Sequence, residues 1–102
     1  MAYEYWATIN QSDKRTLQVI IQPILPSLPI ELLSISNEEV RLRWKDLPRQ
    51  LEWPEDVIVF KNARGIFISF HFGSDVLRQL MLNCLIKSIN DNVGAEIKFV
   101  EL

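Results

Sequence analysis

From Val40 to Lys45 the chain alternates without a break. Val40, Leu42 and Trp44 are apolar, and Arg41, Arg43 and Lys45 between them are cationic. A period of two sends successive side chains to opposite sides of an extended backbone, so the run reads as a strand with one face in a core and the other in water. A strand needs neighbours for its N–H and C=O groups. The rest of the chain must therefore build a sheet around this one.

Much of the chain has the pattern to do so. Tyr3, Tyr5, Ala7 and Ile9 alternate with Glu4, Thr8 and Asn10, and Trp6 interrupts the polar side. Ile30 to Ser36, with Leu32, Leu33 and Ile35, precedes the turn Asn37-Glu38-Glu39 and pairs as an antiparallel hairpin with the strand that Leu47-Pro48 ends. Val57 to Phe60 is a short apolar strand, and Lys61-Asn62-Ala63-Arg64-Gly65 is a turn in which Asn and Gly can take positive φ. Ile66 to Phe72 is apolar on both faces, with Phe67, Ser69 and His71 opposite Ile66, Ile68, Phe70 and Phe72. That predicts a central position in the sheet. Ile97 and Phe99 alternate with Glu96 and Lys98 in a last strand to Leu102.

Two segments change period. Leu17, Ile20, Ile21 and Ile24 follow helical spacing after Asn10-Gln11-Ser12-Asp13, where Ser or Asp can cap a helix. Pro23 kinks or ends that helix. Pro23, Pro26 and Pro29 then recur every third residue, and the apolar Ile24, Leu25 and Leu28 among them predict a stiff connector packed on the chain's own core. The second helix runs from about Val76 to Asn90 after the cap Gly73-Ser74-Asp75. Its apolar stripe is Leu77, Leu80, Met81, Cys84 and Ser88, widened by Leu82, Leu85, Ile86 and Ile89. Arg78, Gln79, Asn83 and Lys87 form its polar side.

The order β-α-β-β-β-β-α-β predicts an α+β fold: an antiparallel sheet of five to six strands with two helices, a ferredoxin-like sandwich with an added hairpin. At 102 residues, 1–102 is one domain.

The same residues narrow the chemistry. Eleven Lys and Arg stand against 13 Asp and Glu, a net charge of -2, which gives no general attraction for nucleic acid. The stripe Arg41, Arg43, Lys45 is spaced like phosphates, but Trp44 and Leu42 lie on the opposite face, so no base-stacking aromatic accompanies it from its own strand. No apolar run reaches the ~20 residues of a membrane span. Met1 to Trp6 has neither the basic nor the apolar region of a signal peptide, and the single Cys84 suits a reducing compartment. A cytoplasmic location is expected.

Catalytic material is sparse. His71 can serve as a general base, but on a strand between Phe70 and Phe72 it reads as a hydrogen-bonded sheet histidine. Cys84 lies on the apolar side of its helix, where burial makes a thiol unreactive. One His and one Cys are too few for zinc. The carboxylate pairs Glu38-Glu39 and Glu55-Asp56 read as solvated turns rather than a cation site. Gly65, Gly73 and Gly94 stand apart and make no phosphate loop. No catalytic residue, metal or cofactor is expected. The strongest binding candidate is Trp53, in a Pro-bounded loop with Glu52, Glu55 and Asp56: an aromatic anchor ringed by acids fits a basic protein partner.

The C-terminal part carries a resemblance. Gly65-Ile66-Phe67-Ile68-Ser69-Phe70-His71-Phe72-Gly73, then an amphipathic helix, then Ile97-Lys98-Phe99-Val100-Glu101-Leu102, resembles the immunity proteins of bacterial contact-dependent growth inhibition over the last 38 residues. The resemblance implies a cytoplasmic protein that binds and neutralises one cognate toxin domain, often a nuclease, without catalysis. Glu52, Trp53, Glu55 and Asp56 are the toxin contacts that the chemistry of this chain suggests. Two other readings stand beside it. One is a small-molecule-binding regulatory module acting as a homodimer, and the other is an enzyme using His71 with a carboxylate.

Overall fold

The computed structural model describes residues 3–9, 16–45, 54–93 and 97–102. The elements are β1 (Tyr3–Thr8), α1 (Leu17–Ile21), a 3-10 helix (Gln22–Ser27), β2 (Ile30–Ile35), β3 (Glu39–Trp44), β4 (Val57–Lys61), β5 (Gly65–Phe70), α2 (Asp75–Val93) and β6 (Val100–Glu101). The strands form one six-stranded sheet in the order β2-β3-β4-β5-β1-β6, and each neighbouring pair is antiparallel. The class is the α+β arrangement expected, and β5 is central, between β4 and β1.

The register explains which face the helices cover. Tyr5 pairs with Ile68, Ile68 with Val59 and Val59 with Val40, so one row of side chains crosses four strands on one face. Phe70, Val57 and Leu42 form the next row. All of these are buried, together with Leu17, Ile20 and Ile21 of α1 and Met81, Leu82, Leu85 and Ile89 of α2. Each fully buried aliphatic or aromatic side chain contributes about 1.5 to 3 kcal/mol. The hydroxyl of Ser88 donates to the Ile20 carbonyl at 2.7 Å and ties the two helices together.

Local chemistry sets the ends. Thr16 caps α1 by accepting from the Val19 amide at 3.4 Å, while the expected caps Ser12 and Asp13 lie outside the described residues. After Ile21 the chain tightens into the 3-10 helix, with Pro23 in its first turn and Pro26 inside. Ile24 and Leu28 are buried against the core and the three prolines are exposed, so this segment is the core strap expected. Ser74 caps α2 through the Leu77 amide at 3.2 Å. In the 61–65 turn the Asn62 side chain accepts from the amides of Arg64 and Gly65.

Three expectations are corrected. The buried stripe of α2 is Arg78, Met81, Leu82, Leu85 and Ile89, and Leu80 is exposed. Arg78 can be buried because its guanidinium donates to the Gly73 carbonyl, pairs with Asp75 and lies 3.8 Å from the centre of the Tyr3 ring. Positive φ falls at Gly73 rather than at Gly65. Only Val100 and Glu101 of the last segment pair with β1, while Ile97 and Phe99 pack on the core.

Candidate functional site

The face of the sheet away from the helices carries a second, unexpected row. Val100 pairs with Trp6, Trp6 with Phe67, Phe67 with Phe60 and Phe60 with Glu39. Large apolar side chains thus cross β6, β1, β5 and β4 side by side. Val100 is 58% exposed and Phe60 40%, while Trp6, Phe67 and Ile58 are half-buried. The Phe60 and Phe67 rings stand 6.1 Å apart, tilted by 40°. Trp6 also walls a shallow hollow of about 480 Å³ with Thr8, Ile9 and Arg64.

Two features put the ring of Trp6 there. It occupies the polar side of the β1 alternation, and Gly65, diagonal to it across the strand pair, has no side chain in the way. The floor beneath the indole is Gly65, where any Cβ would meet Trp6 Cζ2 at 2.7 Å.

Charged residues border this row on the β3 side. Arg41 Nε donates to Glu39 Oε1 at 2.7 Å, and a second nitrogen of Arg41 stands 3.9 Å from Glu55 Oε2. The hydrogen bond and charge of Glu39, then the charge of Glu55, raise the Arg41 pKa. Arg43 donates to the Pro54 carbonyl at 3.1 Å and lies 3.7 Å from Glu31. Arg41 and Arg43 therefore share a face with Trp6, Phe67 and Phe60, which the β3 sequence by itself does not reveal. Both are already engaged by carboxylates, so a polyanion would have to compete with Glu31, Glu39 and Glu55. The face as a whole is apolar with mixed charge.

The four residues expected to form a contact loop fare differently. Glu52 and Trp53 lie outside the described residues. Glu55 and Asp56 are buried, at 5% and 7% exposure, and are not solvated turn residues. Asp56 is buried because it extends the sheet. Its carboxylate accepts from the Trp44 amide at 2.9 Å, its amide donates to the Leu42 carbonyl, and its carbonyl accepts from the amides of His71 and Phe72. Glu55 lies beside Arg41, with Oε2 making no hydrogen bond.

His71 is half-buried next to this junction. It is not a strand residue as expected, because β5 ends at Phe70; its amide donates to the Asp56 carbonyl at 2.8 Å in the bend that follows. Cys84 is half-buried in a cleft of about 340 Å³ with Pro23, Ile24, Ser27, Lys87, Ser88 and Asp91. Among the described residues no three His, Cys, Asp or Glu side chains converge as a metal site, and no helix is long and apolar enough to cross a membrane.

The sequence carried two signs of the open-face row. Trp6 broke the polar side of its strand and Phe67 faced away from the buried Ile66 and Ile68. The link to Phe60 needed the register. Comparison of the chain with protein families, with curated proteins and with solved structures finds no match.

Proposed function

We propose that this protein works by binding another protein, as an immunity protein that neutralises a cognate toxin domain in the bacterial cytoplasm. One observation carries the reading. The aromatic row Trp6, Phe67 and Phe60 lies across the open face of the sheet, on rigid central strands, with charged residues along one side. Interfaces of this kind draw most of their affinity from a few large side chains at the centre and their orientation from charges at the rim. The strand order β6-β1-β5-β4, with a hairpin beyond β4, is compatible with the ferredoxin-like plan, in which one sheet face is left open for such contacts.

Glu52 and Trp53 remain contact residues in this reading on their chemistry. Glu55 and Asp56 are not contacts in this reading, because both are buried, and Asp56 anchors its segment through the Trp44 amide. A nuclease domain is the partner favoured by the resemblance.

The test is capture of the partner with the tagged chain from its own host, followed by titration of the purified partner's activity. Inhibition that saturates at one chain per toxin supports the proposal. Trp6→Ala and Phe67→Ala should each raise the dissociation constant about tenfold to a hundredfold. A captured protein whose activity is unchanged by excess chain overturns it.

A further inference from the structure

We infer that the open sheet face closes on a second copy of this chain, sheet against sheet, about a two-fold axis parallel to the strands between β4 and β5. This rests on the reading of that face as a protein-binding surface and names its first occupant.

The argument is the lateral order of side chains. One row reads Glu4 on β1, Ser69 on β5, Ile58 on β4 and Arg41 on β3. The next reads Trp6, Phe67, Phe60 and Glu39 on the same strands. The second row has its aromatic centre, Phe67 and Phe60, astride the β5–β4 boundary, and the first sets the buried Ser69 beside Ile58 there; the rows have an acid or an indole at the β1 end and the Arg41–Glu39 ion pair at the β3 end. A two-fold axis along that boundary reverses the order of strands and keeps the level along them. It therefore sets Glu4 of one copy over Arg41 of the other, Phe67 over Phe60, and the Trp6 indole N–H over the Glu39 carboxylate. The charged ends and the aromatic centre each meet a complement, as an isologous contact requires, while the buried Ser69 lies over Ile58. Glu4 is exposed and the Arg41 side chain is 46% exposed, so both reach the contact.

Face-to-face sheets pack about 10 Å apart with strands nearly aligned, and an axis parallel to the strands generates that geometry. The contact would also remove from water the apolar strip that Phe60 and Val100 now expose.

Sedimentation equilibrium of the full chain decides the matter. The expected result is a reversible dimer, half-formed at about 10 μM. Phe60→Glu should leave a monomer, with the fold checked by circular dichroism. Glu4→Arg should weaken the dimer about tenfold, and Arg41→Glu added to it should restore association. A wild-type chain that stays monomeric at about 200 μM overturns the inference, as does a Phe60→Glu chain that remains dimeric. Phe60→Glu is decisive even where Arg41→Glu lowers stability by stranding Glu55. A monomer that still inhibits a toxin removes the dimer and leaves the proposed function intact. A dimer that inhibits nothing does the reverse.

Discussion

Trp6 rests on Gly65. A Cβ at position 65 would stand 2.7 Å from Trp6 Cζ2 and 2.2 Å from the Ala7 carbonyl oxygen. The second distance is to backbone, so no side-chain rotation relieves it. Gly65 opens β5 opposite Thr8 of β1, and the strand pair closes over it because glycine has nothing to exclude.

Gly65→Ala is therefore expected to push β1 and β5 apart at their end. The cost of such overpacking is about 2 to 3 kcal/mol. For a domain of this size that lowers the thermal midpoint by roughly 10 to 20 °C. A melt followed by circular dichroism checks it, and an alanine variant within 2 °C of the parent contradicts the close approach.

Asp56 gives a second prediction, which separates structure from recognition. Asp56→Ala leaves the Trp44 amide without its carboxylate acceptor in a buried site. The expected loss is about 2 to 3 kcal/mol by urea denaturation. Asp56→Asn keeps an oxygen at the same place and should recover more than half of that loss. If Asp56 were a contact residue instead, both variants would keep full stability and lose partner binding.

Much of this fold is visible in the amino-acid sequence alone. The Val40–Trp44 alternation, the helical spacing of Leu17, Ile20, Ile21 and Ile24, and the double apolar face of β5 each report one local period, and each lies where its period requires. The candidate site was less legible because it is a property of register. Trp6 is far in sequence from Phe60 and Phe67, and the three become neighbours only through two strand pairings. The burial of Glu55 and Asp56 was hidden for a related reason. Their pattern matched a solvated turn, and only the neighbouring β3 and the 71–72 amides reveal the polar partners that allow Asp56 to be buried.

Arg78 and Tyr3 offer a direct measurement of a contact that helical periodicity did not anticipate. The guanidinium lies 3.8 Å from the ring centre, and Arg78 is 7% exposed. Asp75 is almost fully solvated, so the ion pair contributes little and the ring contact and the Gly73 carbonyl contribute most. A double-mutant cycle of Arg78→Met and Tyr3→Leu should give a coupling of about 0.5 to 2 kcal/mol. A coupling indistinguishable from zero would mean that Arg78 is held by the carbonyl alone.

Glu55 leads to a prediction with the opposite sign from most buried substitutions. Its carboxylate is nearly sealed from water, yet Oε2 accepts no hydrogen bond and the nearest Arg41 nitrogen is 3.9 Å away. Among the described residues Arg41 is its one ion-pair partner, and a buried charge so distantly held recovers little of its desolvation cost. Glu55→Gln keeps the shape and removes the charge, and Arg41 keeps its 2.7 Å bond to Glu39. The variant should therefore be as stable as the parent, or more stable by up to about 1 kcal/mol. Chemical denaturation at neutral pH measures this directly. A loss above about 2 kcal/mol would show that the Arg41–Glu55 attraction outweighs the burial of the charge, and that Glu55 anchors the β3–β4 corner as an ion.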